Sequence, residues 1–200
     1  MAPTRSARYR TTDELLDFVP ILDAAPKDAG TLNLVVRRPA VGAREVLDVG
    51  RLDAAYGLEG DTWIERGSKR TKDGSSHPDM QLNVMSHRMV AFLADDPAIE
   101  PLAGDQLYLD LDLSEENLPA WTYLSFGDPA SPTAVIQVTD QPHTGCAKFI
   151  ERFGEEAMRF VNGRTGRPRR LRGLNARVVQ PGEVRPGDPV TVRRPGDAQG

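Results

Sequence analysis

Four leucines at strict two-residue spacing, Leu107, Leu109, Leu111 and Leu113 in the stretch QLYLDLDLS, constrain this chain more than any other feature. A helix would scatter them around its circumference. A pleated strand sets all four on one face and Tyr108, Asp110 and Asp112 on the other. Such a strand needs partners and a core in which to bury its leucines. TLNLVVRRP, REVLDVG, QLNVM and TAVIQVTD offer them: each is short, rich in branched residues and bounded by turn formers or polar residues. The terminal LNARVVQPGEVRPGDPVTVRR reads as a hairpin or two strands around Pro-Gly turns. With 18 Gly and 16 Pro in 200 residues, turns are favoured over long helices. The expected fold is mainly β, a closed or half-closed barrel with a few helices.

Three stretches read as those helices. In TTDELLDFVPIL, Leu15, Leu16 and Val19 share a face and Pro20 is expected to stop the helix. Ser86 is placed to cap a helix whose buried stripe is Met89, Val90 and Leu93. AKFIERFGEEAMRFVNG puts Phe149, Ile150, Phe153, Ala157, Phe160 and Val161 on one side, with Gly163 at the C-terminal cap and Gly154 weakening the middle. The polar stretch from Gly57 to Met80 reads as a long loop, and residues 62–80 of it are expected to be a lid or to lack order. The implied organisation is an extension with a short helix over 1–30, one domain over 31–194 and a frayed tail over 195–200.

The opening MAPTRSARYR is basic but has no apolar segment behind it, which argues against a secretory signal. No apolar run approaches the ~20 residues of a membrane span. A single cysteine excludes an internal disulfide and suits a reducing compartment, so a cytoplasmic location is expected. A net charge of −4 does not point to nucleic acid.

That cysteine, Cys146, lies in VTDQPHTGCAKFIERFG, three positions after His143, one of only three histidines. A lone cysteine is most often a small buried hydrophobe. Here it follows a tight HTG and precedes a helix-like run. Unpaired N–H groups and the helix dipole favour an anion at such a place, and the thiolate is the nucleophile or metal ligand. Lys148 would act in the same direction. His143 can cap a turn or serve as a base or donor beside the sulfur, and Gly145 lets the backbone approach a ligand. Zinc held by His77, His87, His143 and Cys146 lacks the paired spacing of known zinc signatures.

NGRTGRPRRLRGLNARVV concentrates Arg164, Arg167, Arg169, Arg170 and Arg172 in an otherwise acidic chain. It is either a solvated basic loop or a seat for a phosphate-bearing ligand, which Arg grips with two bonds. Asn117, in SEENLPAW, either forms a turn or fixes a polar ligand through its amide. Glu59 to Asp61 and Pro186 to Asp188 read as strand-entry turns.

GLEGD, EENL, FGD, IQVTDQPHTGC and GLNARVVQPGEVRPGDPV, in this order from Gly57 to Val192, resemble the MOSC domain. That module is found at the C-terminus of molybdenum cofactor sulfurases and as standalone bacterial proteins. The resemblance implies a predominantly β, barrel-like fold and a role with the molybdenum cofactor, in which a phosphorylated pterin dithiolene holds the metal. It implies that Cys146 is the molybdenum ligand or carries sulfur as a persulfide, and that Asn117 helps line the site. Thr144, Lys148, Arg170, Arg172 and Asn175 complete the candidate cofactor-binding set. Many relatives have Arg two or three places before the cysteine and Pro directly before it, where this chain has His143, Thr144 and Gly145. No pyridoxal phosphate is expected, because the sulfurase domain that binds it would not fit in this length.

Three functions follow as expectations. The first is a molybdenum-cofactor oxidoreductase that reduces an N-hydroxylated or N-oxide small molecule, with Cys146 on the metal and His143 as proton donor. The chain has no ferredoxin-like cysteine set, so electrons would come from a partner protein. The second is a carrier of cofactor or sulfane sulfur, loaded by a cysteine desulfurase. The third is an interaction domain with a vestigial site. A homodimer through an exposed strand edge fits any of them.

Overall fold

The computed structural model describes residues 8–197. The basic start up to residue 7 and residues 198–200 of the expected tail lie outside it.

The leucine alternation does form a strand, β6 (Leu107–Asp110 in chain order after five others). Its neighbours are β1 (Ala29–Arg37), antiparallel, and β5 (Leu82–Ser86), parallel. The ring continues from β5 through β9 (Leu174–Gln180), β8 (Ser131–Val138), β7 (Tyr123–Asp128) and β11 (Pro189–Arg193) back to β1. Seven strands therefore close a barrel, antiparallel except at β5–β6. Closure removes most of the sheet edge that an open sheet of this size would expose. A two-residue strand, β2 (Glu45–Val46), extends β1. A small second sheet joins β3 (Gly50–Asp53), β4 (Gly57–Leu58) and β10 (Gly182–Val184).

The alternation is buried on both faces. Leu107 and Leu109 point into the barrel with Leu32, Val84, Phe126 and Ile136. Tyr108 faces outward but is fully buried beneath helices that cover the wall, beside Met85, Met89 and Phe149. The strand ends at Asp110, yet Leu111 and Leu113 remain in the barrel core. Burying each such leucine contributes roughly 1.5–3 kcal/mol.

The covering helices are α1 (Thr12–Asp17), α2 (Val19–Asp23), α4 (His87–Ala94), α5 (Ala147–Phe153) and α6 (Glu155–Asn162); a short α3 (Trp63–Arg66) lies in the long polar stretch. Ser86 caps α4 by accepting from the Met89 N–H, and Met89, Val90 and Leu93 are buried. Five expectations change. Pro20 does not stop a helix; it lies in the first turn of α2, where its missing N–H is harmless, and Leu16 is exposed. REVLDVG is two short strands, β2 and β3. The run after Cys146 is two helices, broken where Gly154 takes φ +89°, a conformation side chains disfavour. Ile150 consequently turns outward.

Candidate functional site

Four adjacent staves of the barrel, β9, β5, β6 and β1, bring their polar residues to one end. Asn175 of β9 and Asn83 of β5 are register partners, and the Asn83 amide donates to Asn175 Oδ1 at 2.7 Å. Asp105 precedes β6 and Arg38 follows β1. Asp105 is completely buried and holds Arg172 at 2.7 and 2.9 Å. Arg38 grips Asp61 through two nitrogens, at 2.7 and 2.9 Å, and also donates to Asn83 Oδ1 and the Gly104 carbonyl. Asp61 is thus more than a turn residue. Burial penalises its charge, but the hydrogen bonds and field of Arg38 prevail and hold its pKa below the usual carboxylate value.

His143 lies at the centre, its side chain 10% exposed. Asn83 Oδ1 accepts from Arg38, so the other side of that amide is the donor. It donates to His143 Nδ1 at 2.9 Å, which puts the ring proton on Nε2, 3.3 Å from Asp105 Oδ1. Burial, then the nearby Arg172, hold the His143 pKa well below its ordinary value. The imidazole is neutral and both nitrogens are engaged inside the protein. Its geometry is that of a group that anchors the Cys146 loop, and neither nitrogen is free to donate a proton to a ligand.

Beside this network opens a cavity of ≈ 350 Å³, lined among others by His143, Thr144, Asn162, Arg167, Arg170 and Arg172, with Glu115 and Asp140 also on its wall. The arginine-rich segment is not a uniform basic loop. Arg169 pairs with Asp23, Arg170 donates to the Leu118 carbonyl, and Arg172 is buried on Asp105. Arg170 holds φ +47°, a strained conformation of the kind that collects at binding sites. Arg172 Nε is buried and has no hydrogen-bond partner among the described residues. An orphaned charged donor of this kind is costly unless a ligand satisfies it.

Cys146 is the N-cap of α5 and is exposed, so it is not a buried hydrophobe. It stands two residues beyond Thr144 and does not itself line the cavity. The peptide before it is clamped: Asn162 Oδ1 accepts from the Gly145 N–H at 3.0 Å, and Asn162 lines the cavity. A side chain at 145 would collide with Met158, its Cβ falling 2.4 Å from the sulfur.

The remaining candidates scatter. Asn175 is fully buried and bonds to Asn83 and the Gln141 carbonyl. Lys148 is exposed on α5. Asn117 does not line the cavity; its amide donates to the Lys27 and Asp112 carbonyls and accepts from Arg194, which ties three chain segments together. His77 caps a turn through Nδ1 and His87 meets Glu100, so the histidines do not converge with Cys146. Among the described residues no cluster of three or more His, Cys, Asp or Glu side chains could hold a metal ion. Sequence reasoning missed Asn83, Asp105, Arg38 and Asn162. Only Asn83 left a signal, as a polar residue inside the apolar strand QLNVM.

A closed, mainly β barrel with a single exposed cysteine, two residues along the chain from the wall of an arginine-lined cavity, defines the class. The family model of the MOSC domain matches residues 72–191, more than half of the chain, and the chain belongs to that family. The fold is similar to that of the YuaD protein from Bacillus subtilis, with TM-score 0.56 and 14% identity over 82% of this chain and 95% of that one. It is also similar to YiiM from Escherichia coli, with TM-score 0.50 and 23% identity over 82% of this chain and 69% of that one. No curated protein gives a significant match. Among the described residues no helix is long and apolar enough to cross a membrane.

Proposed function

We propose that this chain binds the molybdenum cofactor in the arginine-lined cavity and presents Cys146 to the metal, as an oxidoreductase acting on N-hydroxylated or N-oxide compounds. The observation that carries the reading is the convergence of Arg167, Arg170 and Arg172 on the wall of one cavity, beside Thr144 and Asn162 of the segments that position Cys146. Such donors suit the phosphate of a pterin. One soft thiolate suits a metal whose other sulfur ligands come with the cofactor, so a protein cage of several ligands is not required. The residues present therefore fit the group.

When bound, the cofactor would supply two-electron oxygen-atom chemistry. The chain's own part is binding and orientation. Arg167, Arg170 and Arg172 would hold the phosphate arm, and Asn162 and the Gly145 peptide would set the direction of Cys146. His143 would keep the loop in register through Asn83 and Asp105. Protons for oxygen loss would then come from solvent at the open rim, and electrons from a partner protein.

The test is elemental analysis of protein purified without air from a host that makes the cofactor, wild type beside Cys146→Ser. Stoichiometric molybdenum in the wild type, lost in the variant, supports the reading; no molybdenum in either refutes it. The exposure of Cys146 favours a second reading, a cytoplasmic carrier of sulfane sulfur loaded by a cysteine desulfurase. Cyanide-releasable sulfur on the wild type and none on Cys146→Ser would identify that role.

A further inference from the structure

A second cavity, of ≈ 170 Å³, lies on the other side of Asn83, between α3 and the turn at His77. Its wall includes Trp63, Arg66, Ser68, His77 and Met80. The volume is well below the ~300–1,000 Å³ of pockets for larger ligands, which limits an occupant to about one ring. Trp63 and Met80 supply flat and polarizable apolar surface.

The polar groups here share one property: they are donors. His77 Nδ1 accepts from the Asp79 N–H, so the ring proton is on Nε2, and among the described residues no protein group takes that proton. The Trp63 indole N–H likewise meets no acceptor among them. The Ser68 oxygen already accepts from the Arg70 N–H, which leaves its hydroxyl proton free. Arg66 spends one nitrogen on Asp61, at 3.1 Å, and keeps its others. The acceptors are consumed. Asp61 serves Arg38, Arg66 and the Trp63 N–H, while the Trp63 carbonyl takes the Ser76 hydroxyl. Two guanidiniums, Arg38 and Arg66, face one carboxylate, Asp61, leaving a surplus of one positive charge.

We propose that this cavity binds a small aromatic or heteroaromatic carboxylate, its ring against Trp63 and Met80 and its anionic group on Arg66, Ser68 and His77. A flat ring satisfies the apolar wall, a single negative charge matches the surplus, and an acceptor-only head meets a wall of donors. The proposal stands apart from cofactor binding, since none of these five residues lines the larger cavity.

The test uses the full chain carrying Trp121→Phe, so that Trp63 is the one indole left, and follows its fluorescence on titration with sodium benzoate. A saturable change is expected. Benzamide, the neutral analogue, and acetate, which lacks the ring, should each bind at least about tenfold more weakly, and Arg66→Gln should weaken benzoate by a similar factor. No saturable change overturns the proposal, as does equal binding of benzamide or acetate. The two analogue arms use the same protein, so they decide the matter even if Arg66→Gln fails to fold.

Discussion

Asp105→Asn tests the central claim that a buried ion pair holds the site end of the barrel. The Asp105 carboxylate is wholly inaccessible and the Arg172 side chain 9% exposed, with 2.7 Å between them. Burial drives the Asp105 pKa up and Arg172 pulls it back, so the pair depends on both partners. Removing one charge of such a pair strands the other and typically costs about 3–5 kcal/mol. The lower end applies, because the amide oxygen still accepts one bond from Arg172 or His143. About 3 kcal/mol is a large part of the 5–15 kcal/mol that holds an ordinary domain folded. In a chain of this size it corresponds to a fall in Tm of roughly 6–12 °C. Asp105→Asn/Arg172→Leu removes both charges and should be less destabilised than Asp105→Asn alone. Urea unfolding and thermal melting followed by circular dichroism measure both variants. The reasoning fails if Asp105→Asn costs under about 1 kcal/mol, or if the double variant loses the sum of the two single losses.

Three further outcomes are expected. His143 is held neutral in the fold, so its contribution to stability is fully present above the unfolded pKa of about 6.5 and is lost as pH falls below it. Between about pH 7.5 and 5.5, wild type should lose about 1.4 kcal/mol more than His143→Gln; parallel curves would mean that the imidazole charges in place. Gly145→Ala should cost about 1–3 kcal/mol from its collision with Met158, and Met158→Ala in the same chain should restore part of it, read from melting curves. Asn117→Ala should lower stability by about 2 kcal/mol through lost hydrogen bonds while leaving the molybdenum content of folded protein unchanged. A selective loss of metal would return Asn117 to the site.

Periodicity was legible wherever a segment's own neighbours set its burial. The leucines of β6, the Ser86 cap and the stripe of α4 need only local rules, because strand and helix periods and cap hydrogen bonds span a few residues. Cys146 at the start of a helix was readable for the same reason. The break at Gly154 was visible as a weakness but not as a break. What decided it was the packing of α5 and α6 as separate pieces against the barrel wall. Tyr108 shows the limit on burial: alternation places it opposite the leucines, and only the helices lying over it make that face a second core.

The site divides along the same line. The sequence by itself determined the β class, the family signature around Cys146 and the local surplus of arginine, all properties of short windows. Only the tertiary structure decided that Asn83, Asp105, His143 and Arg172 form one network, since their contacts depend on which staves neighbour each other and in what register. It also gave neighbouring arginines different roles, with Arg169 on Asp23, Arg170 strained at the cavity and Arg172 buried on Asp105. The physical reason is that hydrogen bonds and ion pairs act over a few ångströms. Barrel closure brings together groups far apart in the chain, as in the Asn83–Asn175 bond across 92 positions, and no window along the chain records that proximity.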